Sequence, residues 1–445
     1  MRNQKSQYAI AMQYYQNALQ ICQIIYSKED PSIAGILHNI GDALLEQGDY
    51  TAALEHFLQV LEIRQKAYGN EHIEVADTFK SIGKTLNKQG KNYYNAALQS
   101  FKQAVTIYQK ESNKKHPSII DSLHSIGDIL INQGHPADAL QCFQQALEMT
   151  NDETPSDEIA SLLQHIGDLL SEQGDHTNAL QRLRQALEIR QKLYGNEHPD
   201  TALTLRNIGN VLFAQSDYTA ALQHFQQALA IFEKVHDKEH PDIADTIHNI
   251  GNVLFQMGHY TATLQHYLRA LEIYRKTSEP NDRRYAMTLF HIGDVLLYQG
   301  HHTQALQHYK DAIKIMREKY GNDHPDVARI LYSIGLTLKD LCNYPAALSH
   351  FQQALQIRQK VHGNKHPETA DTLSDIGTIL FYQNDHVAAL QHYQEALEIY
   401  LSVYDREHLD IASIYYDISE VLSAQGRYIE ALQYHQLSQK SYKSI

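Results

Sequence analysis

One dipeptide recurs along this chain at a nearly fixed interval. Ile-Gly pairs end at Gly41, Gly83, Gly127, Gly167, Gly209, Gly251, Gly293, Gly335 and Gly377, and Ile418-Ser419 stands where a tenth pair would fall. The steps are 42, 44 and 40 residues, then 42 six times. A period of this length describes an array of supersecondary units, each too small to bury its own apolar face and each stacked on the next. The two irregular steps have local causes. GKNYYNAAL, from Gly90, carries two extra residues in a turn, and TNDETPSDE, from Thr150, is two short in a linker. Length changes confined to turns are what stacked units tolerate.

The copy that starts at Pro241 and runs to Pro280 shows what one unit is. Ile243, Ile247, Ile250 and Leu254 are spaced 4, 3, 4, the period of a helix with one buried stripe. Pro241 and Asp242 suit its first turn, because proline lacks a donor that would be orphaned there and aspartate favours the helix dipole. Gly258 and His259 break the pattern, and a second stripe follows in Tyr260, Leu264, Tyr267, Ala270, Leu271 and Tyr274. The unit is therefore an antiparallel helix hairpin. A helix-interior glycine costs about 1 kcal/mol relative to alanine, so its recurrence needs a compensation. Ala53, Ala139, Ala179, Ala221, Ala305, Ala347, Ala389 and Ala431 lie twelve positions on, with Thr263 the exception and Ala97 fitting after the insertion. Glycine facing alanine is the expected close approach between the two helices.

The Gly/Ala pair, an aromatic such as Tyr218 at the turn and another such as Phe225 in the second helix resemble the tetratricopeptide pattern. The 42-residue spacing and the linkers LYGNEHPDTA (Leu193 to Ala202) and YGNDHPDVA (Tyr320 to Ala328) resemble the longer units of kinesin light chains and nephrocystin-like proteins. The resemblance covers nearly the whole chain. It implies an all-α fold, a right-handed superhelical α-solenoid of stacked antiparallel hairpins, with first helices lining a concave groove. The long heptad region by which kinesin light chains join the heavy chain does not occur in this sequence. In the repeat register, residues 1–29 read as the orphan second helix of a truncated unit and residues 30–445 as ten hairpins in one continuous solenoid. No polar capping helix follows Tyr442, and terminal repeats usually need one. The register thus suggests one part of a longer protein.

Composition narrows the function classes. The formal net charge is −14, with Lys and Arg scattered, which argues against nucleic acid and anionic membrane as partners. Cys22, Cys142 and Cys342 lie far apart and suit free thiols in a reducing compartment. No apolar run approaches the roughly 20 residues that span a bilayer, and MRNQKSQYAI has no signal-peptide apolar region. A cytoplasmic location follows as the expectation. No phosphate-binding glycine signature is present, and Cys142 and Cys342 have no catalytic context.

HDKEH, His236 to His240, matches the H-x-x-E-H zinc signature of inverted metalloproteases. That signature needs both histidines on one face of a continuous helix. Here His236 closes one helix and His240 opens the next. His198, His324, His366 and His408 occupy the position of His240 in other copies, while Tyr194 and Tyr320 replace His236. The linker histidine is expected to cap or pack under the turn. A second series, His56, His224, His266, His308, His350 and His392, falls on the second helices as half-buried packing residues. A weaker reading gives it pH sensitivity. No catalytic residue, metal ligand or cofactor is expected.

The side of the first helix opposite the buried stripe is where a partner would bind. Its first four units are polar and mostly acidic, whereas units five to nine carry aromatics with Asn210 and Asn252 beside them. The candidate groove comprises Asn210, Phe213, His248, Asn252, Phe255, Asp294, Leu297, Tyr298, Tyr332, Phe381 and Tyr382. Asparagine can hold a peptide backbone, and aromatics supply hot-spot energy. Phe213, Phe255 and Phe381 equally suit packing between neighbouring hairpins. Lys80, Lys84 and Lys88 form a basic stripe flanked by Asp42 and Asp128, and inter-unit ion pairs are favoured over an acidic ligand there. The expected function is a non-enzymatic scaffold or adaptor that binds short peptide segments of other proteins. The alternative is the regulatory or targeting arm of a larger enzymatic or motor-associated protein.

Overall fold

The structure is a computed structural model. It describes residues 2–27, 29–111, 116–150, 155–277, 282–405 and 408–444, with side chains from 11 to 442. Asn151 to Thr154 of the shortened linker, and Pro280, lie outside the described residues. Among the described residues are 21 α-helices, one short 3-10 turn and no strand, so the fold is an all-α solenoid built from helix hairpins. Two compact units divide it, residues 1–217 and 218–445.

The first unit opens with α1 (Arg2–Ile25). Four hairpins follow: α2 (Pro31–Gln47) with α3 (Tyr50–Tyr68), α4 (Ile73–Gln89) with α5 (Tyr94–Glu111), α6 (Pro117–Asn132) with α7 (Pro136–Met149), and α8 (Asp157–Glu172) with α9 (His176–Tyr194). The unit closes on α10 (Pro199–Ala214). In the second unit α11 (Tyr218–Val235) precedes hairpins six to ten. These are α12 (Pro241–Gln256) with α13 (Tyr260–Thr277), α14 (Arg283–Tyr298) with α15 (His302–Tyr320), α16 (Pro325–Asp340) with α17 (Tyr344–His362), α18 (Pro367–Tyr382) with α19 (His386–Val403), and α20 (Leu409–Ala424) with α21 (Tyr428–Ser444). The division between units falls inside the segment that the sequence register reads as hairpin five. Within each unit every hairpin's second helix packs on the first helix of the next.

The recurring glycine has a different neighbour from the one the sequence suggests. A Cβ on Gly41, Gly127, Gly251, Gly293, Gly335 or Gly377 would lie 2.5–2.9 Å from the ring of Phe57, Phe143, Tyr267, Tyr309, Phe351 or Tyr393. Gly83 meets Phe101 at 3.0 Å, and Gly167 meets Leu183 at 2.8 Å. The bulky residue sixteen positions on, eighteen across the insertion, thus takes the space of the missing side chain. The alanine four positions before it, Thr263 in the Tyr267 copy, is fully buried and lets that helix lie close. A ring seated on bare backbone is the compensation for glycine's helix penalty.

Linkers are built by their histidines, as the sequence suggests. Nδ1 of His72, His116, His198, His240, His324, His366 and His408 accepts the backbone N–H two residues on, at 3.2–3.3 Å. Each imidazole also packs on the ring four or eight positions earlier, as His198 does on Tyr194 (4.3 Å between centroids) and His116 on Tyr108 (4.8 Å). The histidine caps the new helix and ties it to the end of the old one.

A further inter-hairpin contact recurs near the end of the second helices. Arg64, Arg190 and Arg358 are buried. Nη1 of each donates to Thr78, Thr204 or Thr372 of the next first helix, at 2.7–3.0 Å. Arg64 and Arg358 also donate to the carbonyls of Glu74 and Glu368. In other hairpins a tyrosine stands at the arginine's position and bonds within its own hairpin instead, back to the preceding first helix. Tyr274 and Tyr400 donate to Asp245 and Asp371 at 2.6 and 2.7 Å. The repeated IRQK of Ile63–Lys66, Ile189–Lys192 and Ile357–Lys360 is the sequence signal for these buried arginines, and it was not read as such.

Candidate functional site on the first-helix face

Three positions around each repeat glycine set the chemistry of the face formed by the first helices. The residue three before the glycine reaches the residue two before the glycine of the next hairpin. His38 Nε2 thus meets Ser81 Oγ at 3.2 Å, His124 Nε2 meets His165 Nδ1 at 3.3 Å, and the Tyr332 hydroxyl donates to Asp375 at 2.6 Å. His248 and His291 lie 5.3 Å apart between ring centroids. The residue just after the glycine faces the same seam. There Asn207 donates to both oxygens of Asp168, at 3.1 and 3.0 Å.

The candidate groove residues divide between the two units. Asn210 and Phe213 belong to the first, Asn210 exposed and Phe213 half-buried. The other nine belong to the second unit, where several serve the fold. His248 is half-buried beside Tyr267 and His291. The side-chain oxygen of Asn252 accepts from the Tyr267 hydroxyl, and Asp294 accepts from Tyr309, both at 2.7 Å. Tyr332 is held by Asp375 and lies under the Arg358 guanidinium, 4.4 Å from its ring centroid. Leu297, Phe255 and Phe381 are partly buried against the core. Phe255 packs edge-on against Tyr298 of the next hairpin at 5.2 Å. Tyr298 and Tyr382 are 66% and 53% exposed, so of the aromatics proposed within the second unit they are the ones presented to a partner. Each also stacks on the turn tyrosine of the preceding hairpin, Tyr298 on Tyr260 at 5.7 Å and Tyr382 on Tyr344 at 5.4 Å. Two stacked tyrosine pairs therefore lie on this face.

Ion pairs between neighbouring hairpins do engage the basic stripe, through a different acid from those the sequence suggested. Lys84 binds Asp121 at 2.8 Å, and Lys80 binds Ser118 at 3.0 Å with Asp121 at 3.8 Å. Asp42 instead lies beside His38, and Asp128 beside His165. Lys88 is exposed at the far end of the stripe.

Burial dominates the protonation of the seams. His248 is pushed down to about 3 by burial, with His291 adding to the shift. Burial also lowers His165, against the opposing pull of Asp128. Asp168 is pushed up to about 7 by burial, although Asn207, Arg190 and Arg206 favour its anion. The second-helix histidines are all half-buried, with His308 and His350 lowered by burial.

Among the described residues, two clusters bring three metal-type donor atoms within 4.8 Å of one another: His236, His240 and Asp242, and His124, Asp128 and His165. The first is the HDKEH linker. The second spans hairpins three and four and was missed in the sequence. Its signal was the first-helix histidine beside the repeat glycine, in LHSIGD (Leu123–Asp128) and LQHIGD (Leu163–Asp168). Among the described residues no helix is long and apolar enough to cross a membrane.

A family model for the tetratricopeptide repeat matches residues 1–66, 32–93, 92–152, 158–234, 242–318, 312–359, 326–402 and 387–444. Among curated proteins none matches. Solved structures share the fold at low identity. One is a signal transduction ATPase with numerous domains that carries a tetratricopeptide repeat sensor, from Pyrococcus horikoshii. The TM-score is 0.62 at 15% identity, covering 95% of this chain and 64% of that one. The apo quorum sensor NprR from B. thuringiensis gives 0.56 at 16% identity, covering 79% of this chain and 97% of that one. A Rap protein complexed with competence and sporulation factor gives 0.53 at 15% identity, covering 84% and 99%.

Proposed function

Because the chain belongs to the tetratricopeptide repeat family, we propose that it is a non-enzymatic interaction scaffold whose first-helix face binds short peptide segments of other proteins. The carrying observation is the exposure of Tyr298 and Tyr382 on that face, each braced by a stacked tyrosine. A braced ring loses little conformational entropy on binding, and large aromatics carry most hot-spot energy. Phe255 supports Tyr298 from the core side. Asn252 has its oxygen engaged by Tyr267, which orients its amide group. Two structures of the same fold support the reading, one a quorum sensor and one a complex with competence and sporulation factor.

A second reading keeps the scaffold and makes it the sensing or targeting arm of a larger protein. It is supported by the ATPase with a tetratricopeptide sensor, of whose length this chain spans 64%.

The test is selection from a displayed random-peptide library, followed by rebinding to Tyr298→Ala/Tyr382→Ala protein. Selected peptides should lose roughly ten-fold or more in affinity, about 1.4 kcal/mol, while helicity is unchanged. Peptides that bind the double variant undiminished would place the site elsewhere.

A further inference from the structure

We propose that His124, Asp128 and His165 form a binding site for a divalent transition-metal ion of the zinc class, bridging hairpins three and four. His124 and Asp128 are four residues apart on α6 and share one face of that helix. His165 comes from α8, and donor atoms from all three residues lie within 4.8 Å of one another.

The hydrogen-bond pattern determines which nitrogens are available. His165 Nδ1 is 2.8 Å from the carbonyl oxygen of Ser161. A carbonyl can only accept, so Nδ1 carries the proton and Nε2 carries the lone pair. That lone pair faces Asp128 Oδ1 at 3.7 Å. His124 Nε2, 3.3 Å from the same Nδ1, is likewise confined to accepting. Both Nε2 atoms and the Asp128 carboxylate are thus acceptors gathered in one cluster, and a cation that draws His124 Nε2 away from the shared Nδ1–H satisfies all three. A metal-bound imidazole that donates its other N–H to a backbone carbonyl is the outer-shell arrangement that fixes ligand orientation. The rings are also held in place. His165 stacks on Phe143 at 5.0 Å, and His124 meets the same ring edge-on at 5.6 Å.

Two imidazoles and a carboxylate are the donor set of zinc and its neighbours. Bonds of about 2.0–2.2 Å in a tetrahedron place ligand atoms about 3.3–3.6 Å apart, close to the separation of His165 Nε2 from Asp128. Three protein ligands leave a fourth position for water or for a donor group of a bound partner.

The HDKEH cluster lacks these features. The rings of His236 and His240 are cofacial, 3.7 Å apart and 6° from parallel, so their in-plane lone pairs run side by side and do not converge. His240 Nδ1 is occupied by the N–H of Asp242. That linker is the internal control.

The experiment uses the full chain, stripped with chelator and titrated with Co2+ alone while its visible d–d absorption is followed. One equivalent should bind with bands of low coordination number and be displaced by Zn2+. Asp128→Asn, His124→Gln and His165→Gln should each weaken binding by at least about ten-fold. His240→Gln should leave it unchanged. Circular dichroism reports whether each variant is folded. If His165→Gln misfolds, Asp128→Asn still decides the question, because hairpin six already carries an amide at the equivalent Asn252. The proposal is overturned if no d–d bands appear with metal well above the protein concentration. It is equally overturned if Asp128→Asn binds undiminished, or if His240→Gln abolishes binding.

Discussion

Hairpins three and four meet through His124 and His165; hairpins six and seven meet through His248 and His291 at the same two repeat positions. Identical register yields different chemistry because three companions differ. After the glycine stands Asp128 in one seam and Asn252 in the other. Under the glycine lies Phe143 in one and Tyr267 in the other, whose hydroxyl engages Asn252. Thr288 sits in hairpin seven where hairpin four has Leu162. Because the Thr288 hydroxyl donates to the carbonyl of Arg284, it accepts from His248 Nδ1 at 3.0 Å. The later seam satisfies its own polar groups and is closed. The earlier one has the same two rings with a carboxylate among them, and the lone pair of His165 Nε2 faces that carboxylate. In a repeat array the fold specifies where a side chain sits, and its companions decide what it does there.

The sharpest test of this contrast is steric. A Cβ on Gly127 or Gly251 would come within 2.5 Å of the ring beneath it in either seam. Overpacking of this kind costs about 1–3 kcal/mol, partly offset by about 1 kcal/mol of helix propensity. Phe143 has no hydroxyl, whereas Tyr267 is tethered to Asn252 and yields less. Gly251→Ala should therefore cost about 2 kcal/mol or more, and Gly127→Ala about 1 kcal/mol less than that. Repeat arrays need not unfold in one step, so amide hydrogen exchange in α12 and α6 is the appropriate measurement. Equal losses would show that the tether does not matter.

Acid should act in opposite directions at the His248 seam and the Asp168 seam. His248 stays neutral in the fold down to about 3, against an ordinary 6.5. Between those values the unfolded chain binds the extra proton, so the stability of hairpins six and seven falls as pH drops, by up to about 1.4 kcal/mol per unit. Asp168 has its folded value raised to about 7 from 3.8. There the fold keeps a proton that the unfolded chain has lost, and acidification stabilises α8 against α10 with the opposite slope. Hydrogen exchange between pH 6.5 and 4.5, corrected for intrinsic rates, should show α12 and α14 opening more and α10, which Asp168 holds through Asn207, opening less. Parallel changes at both seams would contradict the assigned burial.

These contrasts mark where the sequence was legible. Helix positions, turn positions and linker caps followed from period and residue type, because every copy reports the same constraint. Glycine's partner was misassigned to Ala53 and its equivalents, since a small residue is the obvious mate for a missing side chain. In fact the ring sixteen positions on fills the gap. The groove list was half legible. Tyr298 and Tyr382 are presented on the face, yet Asn252, Asp294 and Tyr332 are engaged by hydroxyl and carboxylate partners on other helices. Those partnerships depend on tyrosine or phenylalanine at one position, a difference of one oxygen that hydropathy periodicity does not register. His248 was legible as a residue of the first-helix face, but its pairing with His291, and that of His124 with His165, joins residues about 40 positions apart that helical period alone does not pair.

The smallest change exchanges that oxygen. Tyr267→Phe removes the hydroxyl that Asn252 accepts and should cost about 1 kcal/mol locally, the ordinary net value of such a bond. Phe143→Tyr adds it to the earlier seam. Tyr267 and Tyr309 reach the residue after their glycines at 2.7 Å, so Tyr at position 143 should donate to Asp128 in the same way. Stability should change by less than about 1 kcal/mol, because the new bond replaces hydration of a half-exposed carboxylate. Cobalt binding should nevertheless weaken several-fold, since Asp128 then has a competing donor and is drawn away from His165. An unweakened metal affinity in folded Phe143→Tyr protein would mean that the hydroxyl does not distinguish the two seams, and the difference would rest on Asn252 and Thr288 alone.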